Sequence, residues 1–252
     1  MYDLSTRERA LALLAQGRSL NSVSNETGIS RSAIRSWQTR IQPKRGGIPC
    51  PRCRTQPGPP EDAPAYAYLL GLYLGDGCIS AHRRGVHSMR IVLDRAWPGV
   101  IEACEKALRA VRPMNSIFRE RKQGAYAVVS TSKHWPCLFP QHGPGKKHER
   151  PIALEPWQQE IVDTHPWEFI RGLIHSDGCR TTNWTTRVIG GERKRYEYPR
   201  YFFTNTSADI LGLFTATLDS VGVAWRQANS RNISVARKAS VALMDAHVGP
   251  KY

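Results

Sequence analysis

Two decapeptides of this chain repeat one another. Leu69-Leu70-Gly71-Leu72-Tyr73-Leu74-Gly75-Asp76-Gly77-Cys78 and Ile170-Arg171-Gly172-Leu173-Ile174-His175-Ser176-Asp177-Gly178-Cys179 share an apolar run, a Gly-Leu step and a closing Asp-Gly-Cys, with the two aspartates 101 residues apart. Each reads as an amphipathic helix that ends on its aspartate, the next glycine supplying the left-handed turn that stops it. A helix duplicated with an acid at the same end constrains the fold strongly: two half-domains, each lending one acid to a shared site.

The repetition continues beyond the decapeptides. Ile91-Val92-Leu93, followed by Val100, Ile101 and Leu108, parallels Tyr201-Phe202-Phe203, followed by Ile210, Leu211 and Leu218. Val128 to Lys133 parallels Ile233 to Lys238, each an apolar strand ending in lysine. A short helix with Leu138 or Leu243 follows, then His142 or His247 and a tail of Gly, Pro and Lys. Each repeat therefore reads as helix, two strands, helix, two strands, helix. The expected fold class is α+β, a pseudo-twofold duplicated αββαββα domain, with one repeat over residues 65–150 and the other over 151–252.

A small all-α unit over residues 1–42 precedes it. Ala10, Leu11, Leu13 and Leu14 mark one helix stopped by Gly17; Ser19 caps a second through Leu20 and Val23 to Thr27; Gly28 turns the chain, and Ser30 caps a third that packs through Ile34 and Trp37. The spacing resembles the helix-turn-helix of resolvase, invertase and transposase DNA-binding domains. That resemblance implies a third helix in the major groove presenting Arg31, Ser32, Arg35, Ser36, Gln38 and Arg40. Residues 43–64 are rich in Pro and Gly and read as a linker. Within it Cys50 and Cys53 have metal-knuckle spacing and form a candidate zinc pair, although no second Cys-x-x-Cys completes it.

Charge narrows the partner. Against 21 acidic residues stand 36 Lys and Arg, a formal +15, which suits a polyanion whose counterions are released on binding. Residues 1–47 carry 8 basic and 3 acidic side chains, so both parts of the chain can touch phosphate. No run of about 18 apolar residues suggests a membrane span, and the first residues lack a secretory pattern. The expectation is an intracellular protein with reduced cysteines, partnered by double-stranded DNA and with no small-molecule substrate.

The paired motif has its own chemistry. Gly71 and Gly75 lie one turn apart, as do Gly172 and Ser176, so two backbones can cross closely and bring both aspartates side by side at helix C-termini. The helix dipole and the second carboxylate both disfavour a charge there. A hard divalent cation, Mg²⁺ or Mn²⁺, reverses that penalty with oxygen ligands from the carboxylates and nearby carbonyls.

Here the chain resembles the LAGLIDADG homing endonuclease family in its two-motif, single-chain form, over roughly residues 65–252. The resemblance implies saddle-shaped antiparallel sheets seated on DNA and a staggered double-strand cut. It also implies that Asp76 and Asp177 are metal-binding catalytic acids, with the carbonyls of Gly75 and Ser176 as further metal ligands. Lys133 and Lys238, at the ends of the fourth strands, stand where the family often carries a basic residue near the scissile phosphates. Leu74 and His175 depart from the pattern, since an acid often precedes the small residue there.

DNA contacts are expected from the sheets and their hairpins: His82, Arg83, Arg84, Arg90, Arg119, Arg121 and Lys122 in the first repeat, and Asn183, Arg180, Arg187, Arg193, Lys194, Arg195, Arg200, Arg226 and Arg231 in the second. Trp184 and Tyr196 can stack on sugars or simply pack. The leading expectation is a sequence-specific, metal-dependent DNA endonuclease acting as a monomer, free-standing and not embedded in an intein. The alternatives are a transcription regulator on a nuclease-derived scaffold and an RNA-binding maturase.

Overall fold

A computed structural model describes residues 4–39, 41 and 60–252, which fall into two compact units. The linker cysteines Cys50 and Cys53, and Arg40, lie outside the described residues.

The smaller unit holds α1 (Leu4–Ala15), α2 (Leu20–Thr27) and α3 (Arg31–Thr39). The Ser19 hydroxyl accepts from the Ser22 amide at 3.2 Å and so caps α2. Gly28 turns the chain in the left-handed region at φ 67°. Ala10, Val23, Ile29, Ile34 and Trp37 form a core of their own, which leaves Arg31, Ser32, Arg35, Ser36 and Gln38 exposed on the outer face of α3. Two of them are engaged: Arg31 donates to the Asn21 side chain at 2.9 Å, and the Ser32 hydroxyl lies 3.2 Å from that of Ser30.

The larger unit opens with α4 (Ala63–Asp76), whose N-terminus is capped by the Asp62 carboxylate accepting from the Ala65 amide. It therefore starts two residues before the expected boundary. Then come β1 (Gly77–Ala81), β2 (His87–Asp94), α5 (Pro98–Val111), β3 (Ile117–Lys122), β4 (Ala125–Ser132) and the short α6 (Trp135–Leu138). The second repeat runs α7 (Pro156–Thr164), α8 (Pro166–Asp177), β5 (Gly178–Ile189), β6 (Glu192–Thr204), α9 (Ala208–Ser220), β7 (Arg226–Asn229), β8 (Asn232–Val235) and α10 (Lys238–His247). Two four-stranded antiparallel sheets result, ordered β1-β2-β4-β3 and β5-β6-β8-β7. The same order in both confirms the duplicated αββαββα plan; α7 is an addition before the second motif helix.

One apolar cluster runs through both repeats. Met89, Ile91, Leu93 and Val128 in one sheet, and Tyr201, Phe203, Ile233 and Val235 in the other, turn toward the helices. Side chains alternate across a strand, so Cys78, Arg90, Phe202 and Ser234 share the opposite, open faces.

Two expectations need correction. From Tyr66 to Leu74 every residue of α4 is buried, so this helix is apolar all round and not amphipathic. Its stop is not a left-handed glycine: Gly77 (φ −89°) and Gly178 (φ −108°) are extended, each the first residue of a strand. They are small for a different reason, because a Cβ would lie 2.5 Å from the Tyr73 Cα in one case and 2.7 Å from the Ile174 Cα in the other.

Candidate active site

The motif helices α4 and α8 cross where the sequence has its smallest residues. A Cβ on Gly71 would sit 2.5 Å from the Phe169 carbonyl oxygen, and one on Gly172 would sit 3.0 Å from the Gly71 Cα and nearer still to the Tyr68 carbonyl. One turn further on, Gly75 faces Ser176, and a Cβ there would come within 3.1 Å of the Asp177 Oδ2. Only side chains this small let two helix axes approach so closely, and the approach delivers both aspartates to one place.

The charge of Asp177 acts on the Asp76 carboxyl. Burial and then the negative charge of Asp177 push the Asp76 carboxyl up to about 6. Asp177 is raised as well, by burial, while a hydrogen bond from the Asn205 amide at 2.7 Å works in the opposite direction. The two acids are thus unequal, since Asp177 is held by a neutral donor.

Two lysines answer the acids, and they are not those expected. Lys133 lies beyond the end of β4 in an exposed turn, and Lys238 is exposed as the first residue of α10 and does not end a strand. The lysines whose charge acts on Asp76 and Asp177 are Lys147 and Lys251. Lys147 donates to the carbonyls of Tyr73 (2.5 Å), Gly75 (2.6 Å) and Gly77 (2.8 Å), which uses all three of its N–H groups. Lys251 donates to the Ser176 carbonyl at 3.0 Å. Burial lowers both, Lys147 to about 8, against the opposing pull of the two aspartates. The missed signal was the repeated tail: Gly145-Lys146-Lys147 and Gly249-Pro250-Lys251, with both glycines left-handed at φ 74° and 70°.

His175, in place of an acid, is a packing residue. Burial lowers it to about 4 and its Nδ1 lies 2.9 Å from the Tyr68 hydroxyl.

A metal fits this donor set in part. Two desolvated carboxylates, one of them also raised by the charge of the other, are suitable hard-oxygen ligands. The Gly75 and Ser176 carbonyls, expected as ligands, carry ammonium groups, so coordination through them requires Lys147 and Lys251 to swing aside. Among the described residues no group of three or more His, Cys, Asp or Glu converges. The protein thus offers two acidic side chains, a number suited to Mg²⁺ that completes its shell with water and phosphate oxygens.

The sheets sort the expected DNA contacts. On the open faces stand Arg90, Lys122, Asn183, Arg187, Lys194, Arg200 and Arg226. Arg90 is tied to Ser80 at 2.8 Å, and Arg200 lies over the Phe202 ring at 4.4 Å. His82, Arg83 and Arg84 are exposed at the β1–β2 hairpin, and Arg231 at the β7–β8 turn. Arg193 and Arg195 fall on the reverse of the β5–β6 ribbon, Arg195 lying 5.0 Å from the Trp184 ring. Arg119, Arg121 and Arg180 are the corrections. Alternation puts them on the helix side of their sheets, where Arg119 pairs with Glu105 of α5 (2.5 Å) and Arg180 grips both oxygens of Asp245 of α10 (2.6 and 2.8 Å).

The chain is similar in structure to homing endonucleases of the LAGLIDADG type. Variants of the homing endonuclease I-DmoI share 14% identity over 74% of this chain and 96% of theirs, with a TM-score of 0.48. I-DmoI in complex with DNA and Mn gives 14% identity over 75% and 98%, at 0.47. The LAGLIDADG meganuclease I-AabMI bound to uncleaved DNA gives 10% over 72% and 83%, at 0.46. No protein-family model and no curated protein sequence matches.

Proposed function

We propose that this protein is a sequence-specific, divalent-metal-dependent DNA endonuclease that makes a staggered double-strand cut. The observation that carries the reading is the convergence of Asp76 and Asp177 where α4 and α8 cross, between two sheets with basic open faces. Two motifs in one chain supply both acids, so a monomer is sufficient on DNA. The exposed basic face of α3 adds a second DNA contact, tethered through residues 43–64 and effective through local concentration.

When bound, a divalent metal would supply an activated water and charge stabilisation at the phosphorus. Asp76 and Asp177 would hold it from opposite helices, and Asn205 keeps Asp177 oriented. Lys147 and Lys251, freed from their carbonyls by an arriving phosphate, stabilise charge on its oxygens. The arginines and lysines of the open faces hold the backbone in register.

One observation favours a second reading, that of a DNA-binding regulator without cleavage. Two ammonium groups on the neighbouring carbonyls already act to lower both carboxyls, so the acids have positive neighbours without a metal.

A randomised duplex library incubated with the protein and Mg²⁺, followed by sequencing of broken ends, separates the readings. Staggered, site-specific ends that vanish in the Asp76→Asn/Asp177→Asn double variant establish the endonuclease. Enrichment of intact duplexes without ends supports the regulator.

A further inference from the structure

The two repeats differ most in their first hairpins. β1 and β2 exchange five residue pairs, Gly77↔Ile91 to Ala81↔His87, whereas β5 and β6 exchange twelve without a break, Gly178↔Phe203 to Ile189↔Glu192. The longer hairpin closes on Gly190 and Gly191, both left-handed at φ 61° and 84°, the conformation of a two-residue turn that keeps strand twist. The third strand, β8, reaches only Tyr201 to Thr204. From Thr181↔Arg200 outward, the ribbon has no further strand beside it among the described residues.

This extension contributes nothing to the core. No residue from Thr181 to Arg200 is buried, and everything from Thr186 to Glu197 is exposed, Trp184 to 55% and Val188 to 67%. An isolated two-stranded hairpin is marginal in water, so its length calls for a partner. Its charge selects one: Arg187, Arg193, Lys194, Arg195 and Arg200 stand against Glu192 and Glu197. The face continuous with the open side of the sheet carries Asn183, Arg187, Lys194, Tyr196, Tyr198 and Arg200, a mixture of phosphate-seeking and hydrogen-bonding groups on a ribbon of the width that a major groove admits.

We infer that the second repeat follows the major groove about five base pairs further from the centre of the site than the first does, so that the DNA target has unequal arms. The inference rests on the DNA-binding reading above. The figure follows from the lengths of the two hairpins, Gly77 to Ile91 with its longer turn against Gly178 to Phe203, a difference of about five to six residues per strand at ~3.3 Å each, about 18 Å, against ~3.4 Å per base pair.

The test is hydroxyl-radical footprinting of the full chain, carrying Asp76→Asn and Asp177→Asn, on a duplex enriched from a randomised library. A second full-chain variant has residues 183–198 replaced by Asn-Gly, which leaves the five pairs from Gly178↔Phe203 to Thr182↔Pro199 and takes seven residues from each strand. The expected result is protection shortened by about seven base pairs on one side only, with an unchanged melting temperature. Any protection by the N-terminal unit is common to both proteins and cancels in the comparison. A footprint of unchanged length overturns the inference while leaving DNA binding intact. So does a dimer in gel filtration that the trimmed variant converts to monomer, since the ribbon then serves a second copy. A full chain that enriches no duplex and leaves no footprint overturns the DNA-binding reading itself.

Discussion

The Lys147 ammonium lies 2.6 Å from the Gly75 carbonyl oxygen, on the last turn of the helix that ends in Asp76. In the other repeat Lys251 reaches the matching Ser176 carbonyl. Each repeat thus closes its own motif helix with a lysine from its own tail, the expected place for positive charge at the negative end of a helix dipole. The same lysine stands where a divalent cation would draw on that carbonyl, so the two positive charges compete.

That competition is measurable. Lys147→Met removes one positive charge and frees the carbonyls of Tyr73, Gly75 and Gly77. Without DNA, Mn²⁺ affinity read by electron paramagnetic resonance is expected to rise about tenfold, ~1.4 kcal/mol, while cleavage falls because the phosphate loses its ammonium. Unchanged affinity would show that the lysine and the metal use different oxygens.

The raised Asp76 carboxyl gives a signed stability prediction. Its folded value of about 6 lies above the ordinary 3.8, so folding prefers the protonated acid. This contribution is fully present below about pH 4 and is lost as pH rises to about 6. Asp76→Asn is neutral throughout and should therefore be more stable than wild type at pH 8, by about 1–3 kcal/mol, with the advantage gone near pH 4. Thermal melts at the two pH values read it directly. A variant less stable at pH 8 would mean that the ionised carboxylate stabilises the fold through its lysines.

Metal binding has the opposite slope. A metal needs the ionised acid, so Mn²⁺ affinity should fall steadily as pH drops below about 6, the value to which burial and Asp177 raise Asp76. Titration calorimetry between pH 5 and 7.5 follows it; an affinity flat across that window would remove Asp76 from the ligand set.

What the sequence made legible was what repeats. The Gly and Asp positions of the two motifs, and the order of strands and helices, stand out because each copy checks the other. Lys147 and Lys251 were present in that repeat, yet each reaches its motif helix across more than seventy residues, and nothing local announces such a contact. Arg119 and Arg180 were placed with the DNA-facing residues, yet pair with Glu105 and Asp245 on the helix side, for another reason. A strand residue's face depends on register, and the pairing of Arg180 with Tyr201, whose side chain is buried, is a tertiary fact. Gly77 and Gly178 were read as turn residues because left-handed caps are common; close contact with the preceding helical turn was the actual cause.

The helix crossing predicts a contrast among glycines. Gly172→Ala places a methyl against the Tyr68 carbonyl and the Gly71 Cα, both backbone and unable to yield. It should cost about 3 kcal/mol or more and separate the aspartates, so that metal affinity falls with stability. Gly212, inside α9, has nothing within 4 Å of its would-be Cβ. There Gly212→Ala should stabilise the protein by about 0.5–1 kcal/mol through helix propensity alone. Denaturant titrations of the two variants check both signs, and a Gly172→Ala protein as stable as wild type would contradict the crossing.

The last prediction separates two arginines of one strand. Arg180 and Arg187 both lie on β5, but seven positions apart they face opposite ways, Arg180 toward Asp245 on the helix side and Arg187 on the open face with Lys194. Arg187→Ala should lower affinity for every duplex alike and reduce the dependence of log K on log salt by about one, with no change in melting temperature. Arg180→Ala should do the reverse. It strands Asp245, which the guanidinium holds below the usual carboxylate range, and leaves the Tyr201 hydroxyl as that acid's remaining side-chain partner at 2.6 Å. About 1 kcal/mol of stability should go, since the pair is partly exposed, while the salt slope stays the same. Binding isotherms at several salt concentrations, beside melts of both variants, decide the matter. An Arg180→Ala protein with a shallower salt slope would put that guanidinium on DNA after all.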